Sequence, residues 1–294
     1  MYLNNYKLGK NNLSGILPPF KPFGDDPSLV SGVNFYSGTP EKGLIAFKTP
    51  GTFSITPEES GKIAALICAG GGGAGYGAYS GGGGGGAGGI RTVEIFLTKD
   101  AATSIIVGDK GIGAVYVGSS PGTDGTNGGD SSITSIVSVG GGRGASRHFA
   151  AHSGGSGGGG SRDNSTPGSG NPNGLTPPEG YAGGTDYLDG ATHNGGGGGG
   201  GDGLGQDGTS TDYGLGGIGR ELYGYIYSKG GAGNKRVTGS TTDGANATEY
   251  GQGGQGGATD GVGNNKGGDG FKGIIIIRWG GYNMDYDPTD DSVS

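Results

Sequence analysis

The chain has 294 residues, of which 80 are glycine and 13 are proline. Hydrophobic residues make up 30% and charged residues 15%, against roughly 45–50% and about 25% in an ordinary globular domain, which excludes a large conventional core. The net charge of −7, without a Lys/Arg cluster, argues against a nucleic-acid partner.

The first 43 residues are rich in Asn and Pro and carry aromatic residues without a helical or strand period. Such a segment becomes ordered by lying against something else, so we interpret residues 1–43 as an extended attachment arm. A frayed terminus is the alternative. The predicted anchors of the arm are Phe20, Phe23, Phe35 and Tyr36.

Short runs rich in Val, Ile, Thr and Phe follow, and Gly, Pro and Asp bound them as they bound strands. They predict a β-rich module over residues 44–139. The apolar run 273–279 predicts a buried strand that returns to this module from the far end of the chain. The predicted strands are Leu44 to Lys48, Thr52 to Thr56, Lys62 to Cys68, Ile90 to Leu97, Thr103 to Val107, Ala114 to Val117 and Ser131 to Val139.

The single cysteine, Cys68, lies inside one of these apolar runs and has no second cysteine to pair with. It is typical of a small buried hydrophobic residue, and a disulfide scaffold is excluded. The N-terminus lacks the pattern of a signal peptide, and the longest wholly aliphatic run is Ile274 to Ile277. We therefore expect synthesis in a cytoplasm and no membrane insertion.

Glycine is concentrated between residues 69 and 273, which hold 70 of the 80. Pure tracts alternate there with segments that carry larger side chains. We expect residues 140–272 to form one glycine-rich unit with exposed loops, and residues 280–294 to form an acidic tail, either solvated or docked to a basic partner. The tracts are Gly70 to Gly73, Gly81 to Gly86, Gly157 to Gly160 and Gly195 to Gly201.

We consider three candidate structures for the glycine-rich residues 69–273. Collagen requires a strict Gly-X-Y period, which seven consecutive glycines break. A flexible linker does not need the tyrosines that recur here, although it stays an alternative. The third is a bundle of polyglycine-II helices, which have three residues per turn and no internal hydrogen bonds, so that each peptide group bonds to a neighbouring helix.

The fold class that we predict is therefore mainly β with a polyglycine-II bundle or sandwich, and little or no α-helix. Glycines spaced by three support it, because they return to the same face of such a helix. The predicted scaffold residues are Gly157, Gly195, Gly198, Gly201, Gly254, Gly257, Gly267 and Gly270.

Several of these runs together resemble a known family: residues 47–55, the apolar run 63–68 followed by Ala69 to Gly75, residues 105–108, and residues 273–279. They are similar to the glycine-rich domain of bacteriophage tail and fibre proteins. The alternation of tracts and loops resembles the tip adhesins of T-even-like long tail fibres. This resemblance implies a virion protein whose loops bind the host's outer-membrane proteins.

Loops on a rigid scaffold carry most recognition, and aromatic rings among small residues suit it. The three tyrosines of residues 223–227 share one face of a strand-like hairpin, which either is exposed or belongs to the core. The predicted receptor-binding residues are Arg147, His148, Phe149, Tyr187, Leu188, His193, Tyr223, Tyr225 and Tyr227.

The sequence contains only partial matches to metal-binding, phosphate-binding and catalytic carboxylate motifs. His148 and His152 have the spacing of zinc ligands on a helix, but Gly and Ser flank them and the accompanying Glu is absent. A phosphate-binding loop is missing, so we expect no metal and no cofactor. Asp186 and Asp189 are paired carboxylates, yet Asp in glycine-rich loops usually forms turns.

The resulting hypothesis is a non-enzymatic virion protein of a tail or fibre. Its arm binds other virion proteins, and its loops bind a host outer-membrane protein or surface glycan. Homo-oligomers are compatible with the sequence. The alternatives are a purely structural virion subunit, a polysaccharide depolymerase, and an ice-binding or matrix protein built from glycine helices.

Overall fold

The computed structural model describes residues 20–27, 30–118, 122–163, 165–190, 192–260, 263–282 and 285–289. Residues 1–19 of the predicted arm and 290–294 of the predicted tail lie outside it. The described residues form strands and no α-helix, which confirms the predicted fold class in that respect. The strands are β1 Phe35–Thr39, β2 Lys42–Phe47, β3 Gly51–Ile55, β4 Gly61–Cys68, β5 Ser80–Gly81, β6 Ile90–Leu97, β7 Thr103–Val107, β8 Val115–Tyr116, β9 Ser131–Ile133, β10 Ile136–Ser138, β11 Tyr187–Asp189, β12 Thr192–Asn194, β13 Arg220–Leu222, β14 Tyr225–Tyr227, β15 Thr241–Thr242, β16 Ala258–Thr259, β17 Asn265–Lys266 and β18 Ile274–Trp279.

Two antiparallel sheets make a sandwich. One has the order β1-β2-β18-β4-β6 and the other the order β10-β9-β7-β3. Their facing side chains form the main hydrophobic core, to which β18 contributes Ile275 and Ile277, and the second sheet contributes Ile105 and Ile133. The core closes only because β18, from the far end of the chain, pairs with both β2 and β4.

The central strand of the five-stranded sheet, β18, is buried on both faces. Ile274 and Ile276 of β18 point away from the main core and join a second cluster, which Tyr227 and Tyr250 cover. A strand covered on both sides has no polar face. Residues 274–277 are therefore four consecutive isoleucines and do not alternate between apolar and polar residues.

The N-terminal boundary differs from the predicted one. Residues 35–43 were expected in the attachment arm, but Phe35–Thr39 is β1, an edge strand paired with β2 from Phe35 opposite Ala46 to Thr39 opposite Lys42. Pairing satisfies the backbone of this segment and buries Phe35 against the sheet. The predicted strand at Ser131 to Val139 is likewise two strands, because Thr134 has a φ of 54° and forms a turn between β9 and β10.

The glycine tracts form a hydrogen-bonded lattice. Within residues 82–89, each N–H donates to a different neighbouring segment from the one before it, and every third residue returns to the same segment. This rotation is that of a helix with three residues per turn and no internal hydrogen bonds. Gly82, Gly85 and Gly88 donate to residues 257, 254 and 251; Gly83, Gly86 and Gly89 donate to 145, 142 and 139; Gly84 and Ala87 donate to 196 and 199, with N···O distances of 2.7–3.0 Å.

The same segment accepts from three further neighbours, so that six segments surround it in hexagonal packing. The other three pure tracts are enclosed in the same way by their backbone hydrogen bonds. Gly84 shows why these tracts contain only glycine: a Cβ built there would lie 2.0 Å from the carbonyl oxygen of Gly231. Glycines of the tracts have no left-handed φ, so the absence of a Cβ, and not backbone freedom, is what the lattice requires.

The lattice begins before residue 140. Tract residues 70–73 and 81–86 belong to the predicted β-rich module by position, but their N–H groups bond to segments on both sides of that boundary, such as Gly83 to Ala145 and Gly85 to Gly254. Glycine segments of the module bond both to one another, as Gly72 does to Gly86, and to segments after residue 140, because a single polyglycine-II helix satisfies none of its own peptide groups. Sandwich and lattice therefore share residues 69–139.

Candidate functional site

The direction of the tracts defines two ends of the lattice. Residues 69–75 leave the sandwich at the end of β4, and residues 82–90 return to it at the start of β6, since Gly72 and Gly75 donate to Gly86 and Gly83. At about 3.1 Å per residue, the turn at residues 76–81 lies roughly 19 Å from the end of the sheet. We call this end of the lattice the distal face.

Hydrogen-bond direction places other loops at the same end. Residues 196–199 run parallel to 84–87, so the hairpin β11–β12, which precedes them, is distal. Besides 69–75, further segments run antiparallel to 82–89, so the loops that follow them are distal as well, and three of these loops hold charged or aromatic residues. These segments and their loops are 139–145 followed by 146–152, 156–159 followed by 161–163, and 231–234 followed by 235–236.

Six of the nine predicted receptor-binding residues come together at the distal face. His148 is exposed, Arg147 and Tyr187 are half-buried, and Leu188 is 54% exposed. The remaining two lie beneath the surface of the distal loops. Phe149 packs on a small core with Tyr76, and the His193 side chain is buried.

The three tyrosines of the hairpin β13–β14 lie at the opposite end, against the sandwich. Tyr227 is fully buried in the second cluster, which is the core position of the two alternatives that the sequence leaves open. The ring of Tyr225 meets that of Tyr227 edge-on at 4.7 Å, and Tyr223 stacks on the guanidinium of Arg278 at 3.5 Å. The hairpin covers the outer face of the five-stranded sheet, which would otherwise expose its isoleucines to water.

The predicted anchors of the arm also pack on this chain's own sandwich. Phe23 meets Trp279 edge-on at 5.2 Å, and Tyr36 lies parallel to the same indole at 6.3 Å. Phe35 stacks on Tyr286 at 4.6 Å, and Phe20 is half-buried against the main core. Their rings therefore stabilise the sandwich instead of standing out as free attachment points.

The predicted scaffold glycines all donate backbone hydrogen bonds to neighbouring segments of the lattice. Their acceptors lie as far as 182 positions away in sequence, which means that the lattice is held by nonlocal contacts. The acceptors of Gly157, Gly195, Gly198, Gly201, Gly254, Gly257, Gly267 and Gly270 are the carbonyls of Tyr181, Asn234, Gly231, Ser228, Gly72, Gly75, Ala114 and Gly111.

Sequence reasoning missed a charged cluster at the distal face. Asp163 accepts from Arg147 at 3.3 Å and lies 3.5 Å from Nε of Arg162. Nη1 of Arg162 also donates to the carbonyl of Tyr79 at 3.1 Å, and the Arg147 guanidinium lies 5.6 Å from the Tyr79 ring centroid. These residues come from three different loops, and nothing in their sequence spacing relates them.

Two buried titratable groups border this cluster. Burial raises the pKa of Asp186 to about 6, and the nearby charge of Asp163 acts in the same direction. Burial lowers the pKa of His193, and the positive charges of Arg162 and Arg236 lower it further. Within the described residues, the Asp186 carboxylate oxygens and Nδ1 of His193 have no hydrogen-bond partner.

Neither a metal centre nor a membrane helix is found in the part of the chain that the structure describes. It contains no group of three His, Cys, Asp or Glu side chains placed to hold a metal ion. It also contains no helix of the length and apolar character needed to cross a bilayer.

Fold and site together define a class: an all-β protein in which a sandwich supports a polyglycine-II lattice with loops at its far end. The model of the glycine-rich domain family matches residues 48–280, a range that includes most of the sandwich and the whole lattice. The chain belongs to this glycine-rich domain family. A comparison with curated proteins gave no match.

Proposed function

We propose that this protein is a bacteriophage virion protein of the tail or fibre, and that its distal face binds a receptor on the host cell surface. The observation that carries the proposal is the gathering of aromatic and charged loop residues at the one lattice end that faces away from the sandwich. The phage origin rests on the resemblance of the strand runs and glycine tracts to those of tail and fibre proteins.

The scaffold supports binding because it fixes the loops before a ligand arrives. Each distal loop joins two lattice segments whose backbones are hydrogen-bonded to their neighbours at 2.7–3.1 Å. A pre-organised surface loses less conformational entropy on binding than mobile loops do, which leaves more of the contact energy for affinity. The exposed Leu188 and His148 would be the first contacts.

The test is inhibition of phage adsorption by the purified protein. We expect the wild-type protein to reduce adsorption to host cells, and Leu188→Asp to abolish the effect, because a charge replaces an apolar contact in the binding surface. Leu204→Asp is the matched control: Leu204 is 64% exposed but lies on the flank of the lattice. Equal inhibition by both variants would contradict the distal site, and no inhibition by the wild type would contradict receptor binding.

A purely structural virion subunit is the second candidate, and one feature favours it. Leu204, Leu215 and Ile218 are 64%, 52% and 67% exposed on adjoining lattice segments, since Gln206 donates to Leu215 and Asp202 to Ile218. Exposed apolar side chains that adjoin mark contact surfaces. In this case Leu204→Asp would prevent incorporation into particles, and added protein would leave adsorption unchanged.

A further inference from the structure

The distal face carries three arginines beside the acids Asp163, Asp186 and Asp189. Arg147, Arg162 and Arg236 come from loops that follow three different lattice segments. The positive charge of each lowers the pKa of the buried His193. Asp163 is the carboxylate shared by Arg147 and Arg162, and its side chain is 53% exposed. Two guanidinium groups on one carboxylate leave the pair of loops with a net positive charge.

This local charge is opposite in sign to that of the whole chain. The protein carries −7, so its general field repels anions, and an anion would be held here only by short-range contacts. Guanidinium groups are suited to that, because their planar N–H groups bind carboxylate or phosphate oxygens in pairs and are weakly hydrated. Arg147 and Arg162 side chains are 28% and 22% exposed, which leaves them accessible but partly desolvated.

An aromatic ring stands beside these charges. Tyr79 is 43% exposed, and its ring lies next to the Arg147 guanidinium. Tyr79 and Arg162 both have left-handed backbones, with φ of 58° and 29°, a conformation that is uncommon in non-glycine residues and clusters at ligand sites. A ring face next to two guanidinium groups suits a ligand that has both an apolar face and an anionic group.

Resting on the proposed function, we infer that the receptor-binding face takes an acidic saccharide, whose carboxylate or phosphate lies beside Asp163 and accepts hydrogen bonds from Arg147 and Arg162, and whose ring lies on Tyr79. A saccharide of this kind offers both features in one residue: the C–H face of the sugar ring and the anionic substituent. A neutral saccharide would leave the guanidinium groups without a ligand oxygen of opposite charge.

The experiment measures binding of tetragalacturonate and of the neutral maltotetraose to the whole protein by calorimetry at low and moderate salt. We expect tetragalacturonate to bind, to weaken as salt rises, and to shift the amide signals of residues 79, 147 and 162; we expect maltotetraose not to bind. Arg147→Gln and Arg162→Gln should each weaken tetragalacturonate binding about tenfold, the loss expected for one charge-assisted hydrogen bond. Lys62→Gln, at an exposed ion pair with Glu94 on the sandwich, is the matched control and should bind as the wild type does.

The outcomes separate the two proposals. Equal binding of both oligosaccharides, or signal shifts elsewhere in the molecule, would overturn the acidic-saccharide inference, and so would a failure of tetragalacturonate to bind. If adsorption is inhibited by the protein and lost in Leu188→Asp while tetragalacturonate does not bind, receptor binding stands and only the ligand class is wrong. If tetragalacturonate binds at residues 79, 147 and 162 but adsorption is unaffected, the anion site stands and the receptor function is wrong. Signal mapping on the wild-type protein keeps the test valid should an arginine variant not fold.

Discussion

Replacement of a single tract glycine by alanine tests the lattice directly. In Gly84→Ala, the new Cβ would lie 2.0 Å from the carbonyl oxygen and 2.6 Å from the carbonyl carbon of Gly231. An ordinary contact is about 3.4 Å or more, so residues 231–234 would have to move by roughly 1.4 Å. Such a shift stretches the bond from the N–H of Gly231 to the carbonyl of Gly85, now 2.9 Å, beyond hydrogen-bonding range.

The expected cost follows from the bonds that are lost. Two or three buried peptide groups would lose their partners, at about 2 kcal/mol each, while alanine gains about 0.5–1 kcal/mol from its more restricted unfolded state. The net loss of about 3–5 kcal/mol is a large part of the 5–15 kcal/mol that a typical domain has. Urea unfolding followed by the fluorescence of Trp279, with amide exchange across residues 82–89, would measure it.

Gly125→Ala is the matched control, because its nearest heavy atom, the carbonyl oxygen of Ile112, is 3.1 Å from the built Cβ and needs to give only a few tenths of an ångström. We expect a change within about 1 kcal/mol for this variant. Equal stability of the Gly84 and Gly125 variants would refute the argument that close backbone approach holds the lattice. Rapid exchange throughout residues 82–89 of the wild type would refute it as well.

Three further predictions concern buried side chains. Asp186→Asn should stabilise the protein by about 1–2 kcal/mol at pH 7.5, after allowance for partial exposure, and by almost nothing at pH 4. The pKa of Asp186 is raised to about 6 in the folded protein, so ionisation of this carboxyl between pH 4 and 6 destabilises the fold. Thermal unfolding measured across this pH range would reveal the difference. Tyr227→Ala should lower the free energy of unfolding in urea by about 3–5 kcal/mol. Tyr227→Phe should be neutral or stabilising, because the hydroxyl is buried without a partner in the described structure. Equal losses of stability in the two variants would contradict the core position. Burial raises the pKa of Cys68 to about 12, so iodoacetamide should not alkylate the native protein at pH 8, and mass spectrometry should find the adduct only after unfolding.

The strands of the sandwich could be predicted where a run of β-branched residues is bounded by turn-forming residues. β6 and β7 coincide with their predicted ranges, because runs of β-branched residues end there at turn-forming ones. β1 escaped prediction because Phe35–Thr39 contains a glycine and sends its aromatic rings to different clusters, Phe35 to the second and Tyr36 to the first. The two- and three-residue strands in the distal loops have no signal of their own, since the lattice positions them.

The candidate site shows the same division between local and nonlocal information. The sequence indicates which loops carry rings, but the lattice decides at which end each loop lies. The period of two in Tyr223, Tyr225 and Tyr227 predicts one shared face, and only the tertiary structure shows that this face covers the isoleucines of β18. The cluster around Asp163 needed three loops to converge, which no spacing within one loop encodes.

The glycine pattern itself records how deep a segment lies in the lattice. A polyglycine-II helix presents three faces in turn, so a segment enclosed on all sides has room for glycine and for an occasional alanine such as Ala87, and the four pure tracts are such segments. A segment at the rim has one open face and tolerates a side chain at every third position. Leu215 and Ile218 on one rim segment, and Gln252 and Gln255 on another, follow this spacing and point outward. Because backbone groups hold the lattice, the distal loops can change in sequence without changing the scaffold.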